Sequence, residues 1–208
     1  MILPPERSAE RDAAVEAMLP NVPFDGWTKR ALRAGGVAAE DADFLFPRGA
    51  VEMIEVFCDL ADRRMEEAAE NLAETRLSRR VRAVIALRLQ QNRPHKEAIR
   101  RALAVLALPR NSRVAASSMA RTVDAIWRAA GDQSADISWY TKRAILAGVY
   151  SATLLYWLRD FSEEDAATLA FLDRRLAGIG RIGRVRSQVE GALDRLPLPR
   201  MLRTGDTG

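Results

Sequence analysis

Residues 131–150 read GDQSADISWYTKRAILAGVY, which sets a dense polar and aromatic cluster at the mouth of an apolar helix. Asp136, Trp139, Tyr140, Lys142 and Arg143 fall within eight residues, more amphipathic chemistry than a folding core needs. Ala144 to Leu158 then runs fifteen residues without a charge, bracketed by Arg143 and Arg159. At 1.5 Å per residue that is about 22 Å of helix, short of the ~30 Å and ~20 residues that span a bilayer core. The spacing predicts a buried central helix over Ile137–Arg159, not a membrane span.

Outward from this segment the punctuation is helical throughout. Arg7–Leu19 is stopped by the Pro20 and Pro23 turn, and Trp27–Ala34 by Gly35–Gly36. A short segment over Ala38–Phe44 meets the Phe46–Pro47 break. Arg48–Leu72 follows as a long amphipathic helix with Val51, Ile54, Phe57, Cys58 and Ala61 on one side. Leu77–Gln91, His95–Ala107 and Ser112–Ala130 lead to Gly131. Beyond the 131–150 segment, Ser162 and Asp165 have the form of a capping box for Glu163–Ala177. The last candidate helix is Ile179–Leu196. Few windows show β-branched alternation, so the expected class is all-α, with nine to ten helices. Residues 1–178 are read as one helical domain and 179–208 as an appendage.

Charge separates the two parts. The net charge is +4, of which +3 lies in residues 179–208, where six arginines face three carboxylates. There Ile179, Ile182, Val185, Val189 and Leu193 recur at helical spacing, while Arg181, Arg184 and Arg186 crowd the opening turns. Such a helix suits an anionic membrane surface, with packing on its own domain or a second subunit as the alternative. The single cysteine, Cys58, excludes an internal disulfide and reads as a core thiol. MILPPERSAERDA has neither a signal-type apolar run nor the acid-poor character of a transit peptide, so a cytoplasmic location is expected.

Catalytic patterns are sparse. His95 is the only histidine, too few for a pair of Glu-x-x-His motifs, and it reads as an exposed residue at a helix start. Gly178, Gly180 and Gly183 approximate a phosphate-binding loop, but no strand precedes them. Neither a metal nor a cofactor is expected, and the chain does not read as an enzyme.

The segments VDAIW, AGDQSAD, WYTKRA and LAGVY, with Thr153, Tyr156, Asp160, Ser162 and FLDRR at 171–175, closely resemble the ninth Coq protein family of ubiquinone biosynthesis in order and spacing. VPFDGW and LFPRG match it more loosely. The resemblance implies a bacterial homologue with a TetR-like fold, acting without catalysis. It would bind an isoprenoid quinone intermediate or other lipid and offer it to a hydroxylase, associated peripherally with the inner membrane through its terminal helix. A homodimer is implied by analogy with the fold.

The resemblance also implies sites. The hydroxylase-facing patch maps onto Asp136, Trp139, Tyr140 and Arg143, with Ile126 and Trp127 upstream. Asp136, Trp139 and Arg143 share one helical face, and Trp, Tyr and Arg are enriched at binding hot spots. Asp136 is also a candidate helix cap, and Arg143 a candidate surface partner of Asp136 or Asp132. Met119, Val123, Leu146, Val149, Tyr150 and Leu154 are candidate lipid-pocket walls, with an ordinary filled core as the alternative.

The competing reading is a TetR-type repressor that binds DNA and a hydrophobic ligand. The helix order at residues 7–47 fits one, but the recognition segment AAEDADFLF carries Glu40, Asp41 and Asp43 and no cation. Carboxylates facing phosphates repel them, so a degenerate helix-turn-helix without nucleic-acid binding is expected.

Overall fold

A computed structural model of the chain describes residues 3–132 and 138–178, apart from the side chains of Ser138 and Trp139. Asp136 and the whole 179–208 segment, with its membrane-binding candidates, lie outside the described residues.

The described residues form ten helices and no strand. In chain order they are α1 (Ala9–Met18), α2 (Val22–Asp25), α3 (Lys29–Ala34), α4 (Ala39–Leu45) and α5 (Ala50–Ala69). Then come α6 (Leu77–Gln91), α7 (Lys96–Leu106), α8 (Ser112–Ala129), α9 (Ser138–Trp157) and α10 over residues 166–178. Most expected boundaries agree within a few residues, and α6 agrees at both ends. The turn expected at Pro20–Pro23 instead holds α2. Pro23 sits in its first turn, where a missing N–H breaks no helical hydrogen bond.

The central helix is α5, not the 131–150 segment. It packs on α8, α6 and α1, and Met53, Ile54, Val56, Phe57, Ala61 and Met65 are buried along it. Burying these side chains stabilises by about 1.5–3 kcal/mol each for the larger ones. The helix α9 is instead peripheral. It buries Leu146, Val149, Tyr150, Leu154 and Trp157 but leaves Ile145, Leu155 and Tyr156 exposed. No helix among the described residues is long and apolar enough to cross a membrane.

Two glycines fix the approach of helices. At Gly35, a Cβ would fall 2.7 Å from the backbone carbonyl of Ala17, so α1 and α3 touch only because the side chain is absent. Gly131, at φ +82°, ends α8. Its N–H donates to the Arg128 carbonyl at 2.9 Å and that of Asp132 to the Trp127 carbonyl at 3.0 Å. This is the Schellman arrangement, which favours glycine in the left-handed position.

The capping box at Ser162 does not form. Residues Glu163–Asp165 make a 3-10 turn with Glu164 and Asp165 at positive φ, so α10 starts a turn later. Ser162 Oγ accepts from the Ala167 N–H at 3.0 Å, while Asp165 turns away to Lys96 Nζ at 2.7 Å. Asp160 takes over as the cap, accepting from the N–H groups of Ser162 at 2.8 Å and Thr168 at 2.7 Å.

Candidate functional site

The long helix α5 carries Glu52, Glu55, Asp59 and Asp62 at intervals of three, four and three, and all four are buried. Each carboxylate meets arginine from another part of the chain. Glu52 pairs with Arg11, Glu55 with Arg48 and Arg121, Asp59 with Arg7 and Arg63, and Asp62 with Arg88. Buried charges persist only when paired and hydrogen-bonded. The stripe therefore acts as a register device that clamps α1, α6 and α8 around α5. Its periodicity was visible in the sequence, but the apolar residues between its members drew the reading to the other face.

The innermost pair, Asp62 and Arg88, sits beside a cavity. Arg88 Nε donates to Asp62 Oδ1 at 3.0 Å, and Thr122 Oγ1 donates to Asp62 Oδ2 at 2.9 Å. The Arg88 guanidinium also lies over the Tyr150 ring, 5.7 Å from its centroid. The adjoining cavity of about 390 Å³ lies among α5, α6, α7, α8 and α9. That is within the ~300–1,000 Å³ of small-molecule sites, and such sites combine apolar walls with a few placed polar groups.

The cavity is graded along its length. Leu89, Ile99, Ala102, Leu103, Leu154 and Trp157 supply apolar wall. Its most exposed lining residues, Ala107 and Leu155, mark the mouth. At the inner end lie Cys58, Arg88, Thr122 and Tyr150. Burial pushes the Cys58 thiol up to about 12 and the Tyr150 phenol up to about 12, outweighing the nearby Arg88 charge, so both stay protonated. Burial also raises the Asp62 carboxyl against the pull of Arg88 and Thr122.

Of the pocket residues expected from sequence, Met119, Tyr150 and Leu154 line this cavity. Val123, Leu146 and Val149 are buried in the core. Leu146 lines a second, apolar groove of about 280 Å³ with Leu77, Val81, Trp127, Ile145 and Leu176. Arg88, Thr122 and Asn92 were missed, since Arg88 is one of four arginines on α6 and reads, like the others, as a surface residue.

The expected docking residues fall in different surroundings. Tyr140 is exposed, at 77%. Arg143 turns toward α8, where its Nε donates to Asp124. Lys142 lies 3.8 Å from Asp132. Trp127 is half-buried with its Nε1 unpartnered, whereas Ile126 is wholly buried. The Trp139 side chain and Asp136 lie outside the described residues.

His95 is half-buried, not exposed, and burial together with Arg64 lowers its pKa. Among the described residues no three His, Cys, Asp or Glu side chains are grouped to hold a metal ion.

Known proteins match both the fold and the sequence. A crystal structure of a TetR transcriptional regulator from Nitrosomonas europaea superposes with a TM-score of 0.66, over 82% of this chain and 97% of that one, at 24% identity. The all-helical fold is therefore TetR-like. The COQ9 family model matches residues 112–183. The mitochondrial ubiquinone biosynthesis protein COQ9 of Rattus norvegicus is 33% identical over 84% of this chain, and its Homo sapiens counterpart is likewise 33% identical over 84%. The chain spans 60% and 58% of the lengths of those two relatives. The Schizosaccharomyces pombe coq9 protein is 33% identical over 88% of this chain and 74% of its own length. With that coverage and that identity, the chain belongs to the COQ9 family.

Proposed function

We propose that the chain is a non-catalytic, lipid-binding accessory protein of ubiquinone biosynthesis, which binds polyprenylated quinone intermediates and presents them to a membrane-associated hydroxylase. The observation that carries this reading is the apolar cavity between α5 and α9 in a chain whose relatives are named for ubiquinone biosynthesis. The exposed Tyr140 and the groove beside Trp127 support a protein-docking face, to which the family resemblance adds Asp136, Trp139 and Arg143. Residues 179–208 would hold the protein on anionic lipid, and a homodimer would form through the fold's helical faces.

DNA binding is not part of this reading, despite the fold. The exposed side of α4 carries Glu40, Asp41 and Asp43. Two of the three cations of α3 are engaged locally, Lys29 with Asp43 and Arg30 with Asp25 at 2.9 Å. A surface of that sign repels phosphate.

Deleting the gene in its own host tests the role. Ubiquinone should fall while its unhydroxylated precursor accumulates, and restoring the chain should reverse both changes. Unchanged ubiquinone and precursor levels would overturn the proposal.

A further inference from the structure

The polar inner end of the cavity has a feature that core stability leaves unexplained. Tyr150 is 4% exposed and lines the cavity, yet among the described residues no group hydrogen-bonds its hydroxyl. The hydroxyl opens onto the cavity, so the fold leaves it as a donor and acceptor for whatever enters there. Its neighbours are already committed. Arg88 is held by Asp62 and Thr122, and Asn92 Nδ2 donates to the Arg88 carbonyl at 2.8 Å. Among the described residues the lining leaves the Tyr150 hydroxyl and Trp157 Nε1 unpartnered, and of these two the hydroxyl can both give and accept a hydrogen bond.

The charge balance narrows what that is. Asp62 neutralises Arg88 at 2.7 Å, and Cys58 and Tyr150 are uncharged, so the inner end offers no spare cation. A phosphate or fatty-acid carboxylate placed there would lose its water without gaining a counter-ion. A neutral carbonyl or phenol needs only one hydrogen bond, which the Tyr150 hydroxyl can give or accept. The aromatic ring of Tyr150, polarised by the guanidinium over it, supplies a flat surface beside that oxygen.

Size sets the orientation. About 390 Å³ accommodates a substituted ring and a short length of tail, not a long polyprenyl chain. With the tail inward, the Tyr150 hydroxyl would face hydrocarbon and remain unpartnered. With the ring inward, the tail leaves past Ala107 and Leu155 at the mouth.

We propose that the inner end of this cavity is a head-group subsite for an uncharged, oxygen-bearing ring, a quinone or its phenolic precursor, bound through the Tyr150 hydroxyl with its tail emerging between Ala107 and Leu155. The inference rests on the lipid-binding reading above and adds which end of the ligand enters. Presentation to a hydroxylase then requires the ring to be drawn out again.

Titration calorimetry tests it with three probes: a benzoquinone bearing two isoprenyl units, the matching isoprenoid hydrocarbon, and a fatty acid of equal length. The full chain should bind the quinone most tightly. Tyr150→Phe should lower quinone affinity about three- to tenfold and leave the hydrocarbon unchanged, the loss expected of one hydrogen bond. Leu155→Trp, which narrows the mouth, should weaken both. Undiminished quinone binding by a folded Tyr150→Phe protein, or a fatty acid bound as tightly as the quinone, would overturn the subsite and spare the lipid-binding reading. Binding of none of the three probes would overturn both.

Discussion

Arg88 of α6 and Asp62 of α5 form a buried ion pair, Nε to Oδ1 at 3.0 Å, that joins the wall of the cavity to the central helix. Removing one partner leaves the other charged, buried and unmatched. Asp62→Ala should therefore destabilise the protein by about 3–5 kcal/mol. Replacing both residues with apolar side chains of similar volume should be far milder, because no lone charge remains. Urea unfolding of the single and double variants measures the difference, and equal losses would contradict the assignment.

The Asp160 cap predicts acid sensitivity at the α9–α10 junction. Burial disfavours its charge, but hydrogen bonds from Ser162 and Thr168 outweigh that and hold its pKa well below the ordinary 3.8. The folded chain then takes up this proton less readily than the unfolded chain, so the stabilisation is present above about pH 4 and lost as the pH falls further. Asp160→Asn should lower Tm at neutral pH, with the gap to the wild type closing toward about pH 2. A gap that stays constant with pH would refute the cap.

Two glycines should respond in opposite directions. Gly35→Ala drives a methyl group into the Ala17 carbonyl and should cost about 1–3 kcal/mol. Gly148 lies within α9 with open space around its Cβ position. Gly148→Ala should stabilise by about 0.5–1 kcal/mol through helix propensity alone. Thermal melts of both variants provide the check.

Tyr140 and Arg143 should separate binding from folding. Tyr140→Ala, at an exposed position, should leave Tm within a degree or two while weakening capture of the hydroxylase. Arg143→Ala should also lower stability, since Arg143 holds α9 to Asp124 of α8. Pull-downs paired with melts measure both effects. Full hydroxylase capture by Tyr140→Ala would remove this residue from the docking face.

Helix limits were largely legible because apolar spacing, proline and glycine mark them locally, as at Leu77–Gln91. The position of each helix in the assembly was not. Ala144–Leu158 is uncharged and reads as central, yet α5 takes that place because its charged stripe is answered by arginines 26 to 66 residues away. Capping at Ser162 was misjudged for a similar reason, since Lys96 from α7 claims Asp165. The cavity was legible in part. Met119, Tyr150 and Leu154 lie on its wall, whereas Arg88 and Thr122 enter it only through packing between helices.

The central claim is that this cavity holds an isoprenoid quinone or its precursor. Mass spectrometry of lipids extracted from the full chain, purified from a ubiquinone-producing host, tests it most directly. The account predicts co-purified quinone intermediates, and their depletion in a Leu155→Trp variant that narrows the mouth. Recovery of no isoprenoid lipid, or equal recovery from both proteins, would contradict it.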